Sequence, residues 1–309
     1  MGVFVFLPLV LPLTAWPVAR LAEQRLHPRA ATWLLTAVAG VLAVCSTLCL
    51  GLLVVVGTAQ LPGNPLPDGW SDPEVRAAVP YDEFAGKAAI IALIAVLVAG
   101  VRTVWRHRRV RRRAGRALAG LPPRTVAVLP DETPYAYALP GRPGRVVVTT
   151  GMLAGLDAGE RRALFAHERA HLTARHHRFL LVVQLAARAN PFLRPLRTAV
   201  IYTAERWADE DAAVKVGSRR SVARAIGRAA LVSRGAPVVT LAGFAAAGPV
   251  PRRVAALLGP APVPRVWPPI STTVGLAAWG AAVGATVSAL SSANSAVSLY
   301  FILKAATPL

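Results

Sequence analysis

The sequence predicts a mainly α membrane protein in which about four transmembrane helices carry a cytoplasmic α+β domain with a small sheet. Three observations predict it. Of 309 residues, 54% are hydrophobic and only 16% charged, against about a quarter in ordinary soluble domains, and the mean hydropathy is +0.48. The apolar residues are gathered into long runs without charge. The 35 Lys and Arg and 15 Asp and Glu are segregated along the chain, not mixed. Such a composition excludes a disordered or collagen-like chain.

The first expected span runs from about Val3 to Ala19, interrupted by Pro8, Pro12 and Pro17, which helices in a bilayer tolerate better than soluble ones do. Its basic residues, Arg20, Arg25 and Arg29, follow the apolar run instead of preceding it, the order of an uncleaved span and not of a signal peptide. The second, about Ala30 to Ala59, has no charged residue and exceeds the roughly 20 residues a bilayer requires. The third has an uncharged centre of only fourteen residues, Ala88 to Val101, and reaches the required length from Phe84 to Trp105 if Lys87 and Arg102 snorkel. The fourth, about Ile270 to Leu290, is rich in Gly, Ala and Ser, which suits close helix packing in lipid. Cys45 and Cys49, four apart within the second span, read as small packing residues, since adjacent turns of one helix need no disulfide.

Sidedness follows from the connections. The first is basic. The second, Gly57 to Lys87, is acidic through Asp68, Asp72, Glu74, Asp82 and Glu83. The third opens with eight arginines between Arg102 and Arg116 and no acidic residue. The positive-inside rule then puts both termini outside and Trp105 to about Trp267 in the cytoplasm of a multi-pass cell-membrane protein. The expected division is 1–104, three N-terminal spans; 105–267, the cytoplasmic domain; and 268–309, the last span and a short tail. The net charge of +20 is thereby accounted for by the membrane face, so the lipid bilayer is an expected partner and direct nucleic-acid contact is not.

Within the cytoplasmic stretch, Thr125 to Leu129, Tyr135 to Leu139 and Arg145 to Thr150 read as strands, with Gly141, Pro143 and Gly144 in the turn. Asp157 followed by Glu160 reads as a capping box opening a helix that extends at least to His177. Further helices are expected over Thr198 to Val216, Arg219 to Arg234 and Pro251 to Leu258, each stopped by glycine.

Two of the six histidines, His167 and His171, lie four apart on the capped helix with Glu168 between them. Residues i and i+4 project from one helix face, so both imidazoles can reach one tetrahedral Zn²⁺ while Glu168 is offset toward the open coordination position. A third ligand is required, and Glu205 is the chosen carboxylate, with Glu210 and Asp211 as rivals. Asp209, one turn beyond Glu205, is placed to accept a hydrogen bond from a ligand imidazole.

Four segments carry a resemblance: the run from Tyr135 to Pro140, the strand from Arg145 to Leu153, Leu164-Phe-Ala-His-Glu-Arg-Ala-His-Leu, and Glu205-Arg-Trp-Ala-Asp. In that order they resemble membrane-embedded gluzincin metallopeptidases over about Arg124 to Leu258. Two sister groups share the signature, the CAAX-prenyl and HtpX-type proteases and the BlaR/MecR-type antirepressors, and the outside N-terminus with spans on both sides of the domain favours the second. The resemblance implies a zincin-like fold for the cytoplasmic domain. It also implies zinc held by His167, His171 and Glu205, with Glu168 as general base in cleavage of a cytoplasmic or membrane-associated protein. In the antirepressor group that protein would be a BlaI-like winged-helix repressor; in the HtpX group the task would be membrane-protein quality control. A catalytically silent signalling receptor is the alternative from another class. The extended segment Tyr135, Ala136, Tyr137 and Ala138 could pair a substrate strand. Tyr202 and His176 are guesses for an oxyanion partner, and His177 reads as a polar helix end.

Overall fold

Prolines punctuate the start of the chain, and the helix breaks where they fall. The computed structural model describes residues 7–59, 82–120, 122, 124–233, 249–262 and 271–305. A short helix α1 (Leu7–Val10) passes through a 3-10 turn at Leu11–Thr14 into α2 (Ala15–Arg25). The expected first span is therefore, in its described part, a broken run and not one continuous helix, because Pro12 supplies no backbone N–H to the ladder. Three helices among the described residues are long and apolar enough to cross a membrane: α3 (Pro28–Ala59), α4 (Asp82–Ala117) and α11 (Thr273–Ala305). The acidic connection expected outside falls mostly outside the described residues.

The backbones of Gly57 at the end of α3 and Gly86 near the start of α4 touch, leaving no room for a Cβ on either. Absence of a side chain permits that approach, and it makes α3 and α4 antiparallel neighbours. The arginine-rich end of α4 thus returns to the level of the start of α3. α4 is unbroken across the expected boundary at residue 104, so the span and the base of the following domain are one rod.

The sheet is small. β1 (Val126–Leu129) lies parallel to β3 (Arg145–Thr149), and β2 (Ala136–Leu139) runs antiparallel to β3, giving the order β1-β3-β2 with β2 at an edge. After α5 (Thr150–Ala154), α6 (Ala158–Thr173) opens on the capping box: Asp157 Oδ1 accepts from the Glu160 amide at 2.7 Å, and Glu160 Oε2 from the Asp157 amide at 3.0 Å.

The helix expected to reach His177 stops at Thr173. Arg175 adopts a left-handed conformation (φ 55°), and a new helix, α7 (His176–Ala189), begins at the next residue. No Gly or Pro marks the break. A non-glycine residue there costs about 1–2 kcal/mol, offset by the burial of Phe179, Val183 and Ala186 of α7 against α3. A 3-10 turn at Pro191–Leu193 leads into α8 (Arg194–Val216), closed by Gly217 at φ 77°, followed by α9 (Arg219–Val232) and α10 (Val250–Leu258).

The main core is shared between the membrane helices and the domain. Leu34, Leu35, Val38 and Leu42 of α3 pack with Leu196, Val200 and Trp207 of α8 in one cluster. Polar links reinforce it: Thr32 Oγ1 donates to Thr203 Oγ1 (3.0 Å), Asn190 Nδ2 to Ser46 Oγ (3.1 Å), and Ser46 Oγ to the Pro8 carbonyl (2.8 Å). The last two contacts satisfy polar groups far along an apolar helix, where water would not. Cys45 and Cys49 are both buried, and neither is in a disulfide among the described residues.

Candidate metal centre

Two helices meet at the site. α6 presents His167 and His171 from one face, as the four-residue spacing requires, and α8 crosses it with Glu205. α8 can do so because almost every residue from Ala199 to Asp209 is buried, so polar as well as apolar faces are enclosed. The two Nε2 atoms are 3.1 Å apart; Glu205 Oε2 is 3.6 Å from that of His167, and Oε1 is 3.4 Å from that of His171. One donor atom from each residue lies within 4.8 Å of the others. Tetrahedral zinc with bonds of about 2.0–2.1 Å needs donors about 3.3–3.4 Å apart. The spacing and the His, His, carboxylate donor set both fit such an ion.

Outer groups hold these donors. Asp209 Oδ1 is 3.0 Å from His167 Nδ1. His176 Nδ1 is 2.8 Å from His171 Nδ1. With Nε2 of His171 facing the centre, its Nδ1 carries the proton and His176 accepts it, which leaves a proton on the buried Nε2 of His176. His176 is 1% exposed and packs edge-on to Trp207 at 4.7 Å between ring centroids. It is therefore behind a ligand and not over the centre.

Arg253 of α10 is the functional residue that sequence reasoning missed. Its guanidinium contacts Glu205 Oε2 at 2.8 Å and grips both Asp209 oxygens at 2.6 and 2.9 Å, at 5% exposure. Planar bidentate pairing of this kind is what arginine does and lysine cannot. The signal available was weak: an Arg252-Arg253 pair on a short amphipathic helix, with nothing to say which of the two turns inward. Arg252 turns the other way, pairing with Glu23 at 2.7 Å and covering the Tyr202 ring at 4.0 Å.

The charges are strongly coupled. Burial opposes ionisation of Glu205, but Arg253 and the two histidines outweigh it and hold the carboxyl well below the usual range. Burial alone would lower His167, yet the Asp209 and Glu205 carboxylates raise it to about 10; burial pushes His171 down to about 4. Without metal, the facing imidazoles therefore share one proton, held mainly on His167. For Glu168, burial and then the nearby Glu205 charge prevail over the opposing pull of His167, so its carboxyl is raised above the ordinary glutamate value.

The rivals are engaged elsewhere. Glu210 is clasped by Arg206 at 2.7 Å and Arg219 at 2.9 Å, and Asp211 interacts with Trp207 and Arg29. Tyr135, just before β2, and Tyr137 within it turn their backbone groups to β3 and stack their rings at 6.2 Å. Ala136 and Ala138 face the open edge, and the Ala138 backbone N–H is near enough to the Glu168 carboxyl to favour its charged form slightly. The candidate base thus lies beside the edge strand.

With this geometry in place, comparison with known proteins adds one finding. Residues 101–189 match the model of Peptidase family M48. The match covers less than a third of the chain and is a likeness to that family's model over this stretch. It takes in the end of α4, the sheet, both histidines and Glu168, and stops before Glu205 and Arg253. No curated protein and no solved structure matches the chain.

Proposed function

We propose that the chain is a zinc endopeptidase embedded in the cell membrane, with its active site on the cytoplasmic side, cutting a protein segment laid along β2. The observation that carries this reading is the convergence of His167, His171 and Glu205 beside Glu168, with Glu168 close to the open strand edge. His167, His171 and Glu205 would hold the ion, with Asp209 and His176 orienting the imidazoles. Bound zinc supplies positive charge that acidifies a water and polarises a carbonyl.

This chain's own groups do the rest. Glu168 accepts the proton of the attacking water on its carboxylate and returns it to the leaving nitrogen. Burial raises its carboxyl above the ordinary glutamate value, which makes it a better donor to the leaving nitrogen than an exposed glutamate. Ala136, through its outward N–H and C=O, and Ala138, through its C=O, would pair with an extended substrate by strand addition. Arg253 keeps Glu205 and Asp209 ionised.

For the substrate, the charge pattern of the connections favours the BlaR/MecR-type reading, hence a BlaI-like winged-helix repressor; quality control of the HtpX type is the competing reading. Proteomics on cells carrying the native chain or Glu168→Gln tests both. Accumulation of one intact repressor in the variant supports the first, a broad set of membrane proteins supports the second, and identical proteomes overturn the peptidase.

A further inference from the structure

We propose that the chain binds one acidic glycerophospholipid in a two-part site along α4, with an acyl chain in a groove between α4 and α7 and the phosphate headgroup among arginines at the end of α4. This rests on α4 lying in the membrane and not on the peptidase assignment.

The groove has a volume of about 610 Å³ and is walled by Leu97, Val101 and Trp105 of α4 and by Leu185 and Ala189 of α7. Gly100 is on its floor, where a Cβ would meet nothing within 4 Å. At one end the groove reaches Arg108, which also lines a second cavity of about 580 Å³. That cavity adds Arg111 and Arg112 of α4, Arg142 of the β2–β3 turn and Arg145 of β3. Among the described residues, no acidic one lines either cavity.

Two of the arginines build the walls. Arg111 donates to the Pro140 carbonyl at 3.1 Å and Arg145 to the Leu118 carbonyl at 3.4 Å, contacts that leave their charge uncompensated. Arg108, Arg112 and Arg142 are exposed and meet no carboxylate among the described residues. Five like charges around one cavity repel one another and attract an anion with several oxygens, as a phosphate diester has.

The joined shape selects the source of that phosphate. An apolar slot next to a cationic seat along the same helix, the two sharing Arg108, matches an amphiphile and not a free anion. α4 also presents Ile91, Ile94 and Val101 at 57–73% exposure on its outer face, with Trp105 at 55% where the arginines begin. An aromatic at that border is characteristic of the headgroup layer. The slot therefore opens at the depth where a lipid would enter it.

Native mass spectrometry of the full chain, released from detergent after exposure to equal amounts of phosphatidylglycerol and phosphatidylcholine, tests the site. One phosphatidylglycerol adduct should persist and phosphatidylcholine should not. Each basic side chain beside an anionic lipid is worth about 5-fold in binding, so an Arg108→Gln, Arg112→Gln, Arg142→Gln variant should lower retention roughly 100-fold. Gly100→Leu puts an apolar side chain into the slot from a position where an added Cβ meets nothing within 4 Å; it should lower lipid retention while binding of glycerol phosphate is unchanged. Unchanged circular dichroism and metal content in both variants show that they fold. Equal retention of the two lipids by the native chain, or full phosphatidylglycerol retention in either variant, overturns the proposal. The second result in Gly100→Leu alone would leave a bare anion site.

Discussion

Nδ1 of His176 lies 2.8 Å from Nδ1 of His171, so a ligand imidazole is held from behind by a second imidazole on the next helix. Partners of this kind usually sustain a 10–100-fold part of metal affinity. Replacing His176 by Phe should weaken zinc binding by about that factor, read by competition with a chromophoric chelator. His176→Asn, which keeps an oxygen near the Nδ1 position, should recover most of it; equal losses in the two variants would make His176 a packing residue only.

Arg253 neutralises two buried carboxylates. Its loss leaves them uncompensated, and breaking a buried pair in this way costs about 3–5 kcal/mol. Arg253→Met should lower the unfolding free energy of metal-free protein by that order, with a smaller loss when zinc is saturating, because the ion would replace part of the missing charge. Identical losses with and without zinc would separate Arg253 from the metal centre.

Metal uptake should release a proton. His167, raised to about 10 by its carboxylate neighbours, is charged at pH 8 in metal-free protein, whereas His171 is already neutral. Calorimetry in buffers of different ionisation enthalpy should give about one proton per zinc at that pH. The same raised group contributes stability to the metal-free chain that is fully present below its unfolded pKa of about 6.5 and is lost as pH rises through about 10. Denaturation of metal-free protein across that window should show the decline.

Glu168→Gln should keep the metal and lose at least about 10²-fold in turnover. Because burial raises the Glu168 carboxyl, activity of the native chain should fall with acid at a pH above the ordinary glutamate value of about 4.3. An acid limb that persists unchanged in residual Gln-variant activity would assign it to another group.

Sidedness is read by an impermeant thiol reagent on intact cells. In a Cys45→Ala, Cys49→Ala background, a cysteine at Ser71 should label and one at Val214, 83% exposed in the domain, should not. Labelling at 214 would place the domain outside and exclude a cytoplasmic repressor as substrate.

What could be read from the sequence was whatever depends on near neighbours in the chain. The capping box at Asp157, the paired histidines on one helix face, the glycine stop at Gly217 and the uncharged run of α3 from Ala30 onward are each legible from residues close together in the chain. Glu205 was reachable because helix period ties it to Asp209, although its 34-residue separation from His171 had no local sign. Tertiary structure decided the rest. The helix breaks at Arg175 because burying Phe179 and Val183 of α7 against α3 offsets an unfavourable backbone angle, and that break returns His176 to His171. Arg253, 44 residues beyond Asp209, reaches the site because two buried carboxylates require a counter-charge. Ala138 meets Glu168 because β2 is an edge strand, a property of the order of strands and not of any one of them. Long-range compensation of buried charge and strand order depend on which surfaces meet, and residue spacing along one chain carries no record of that.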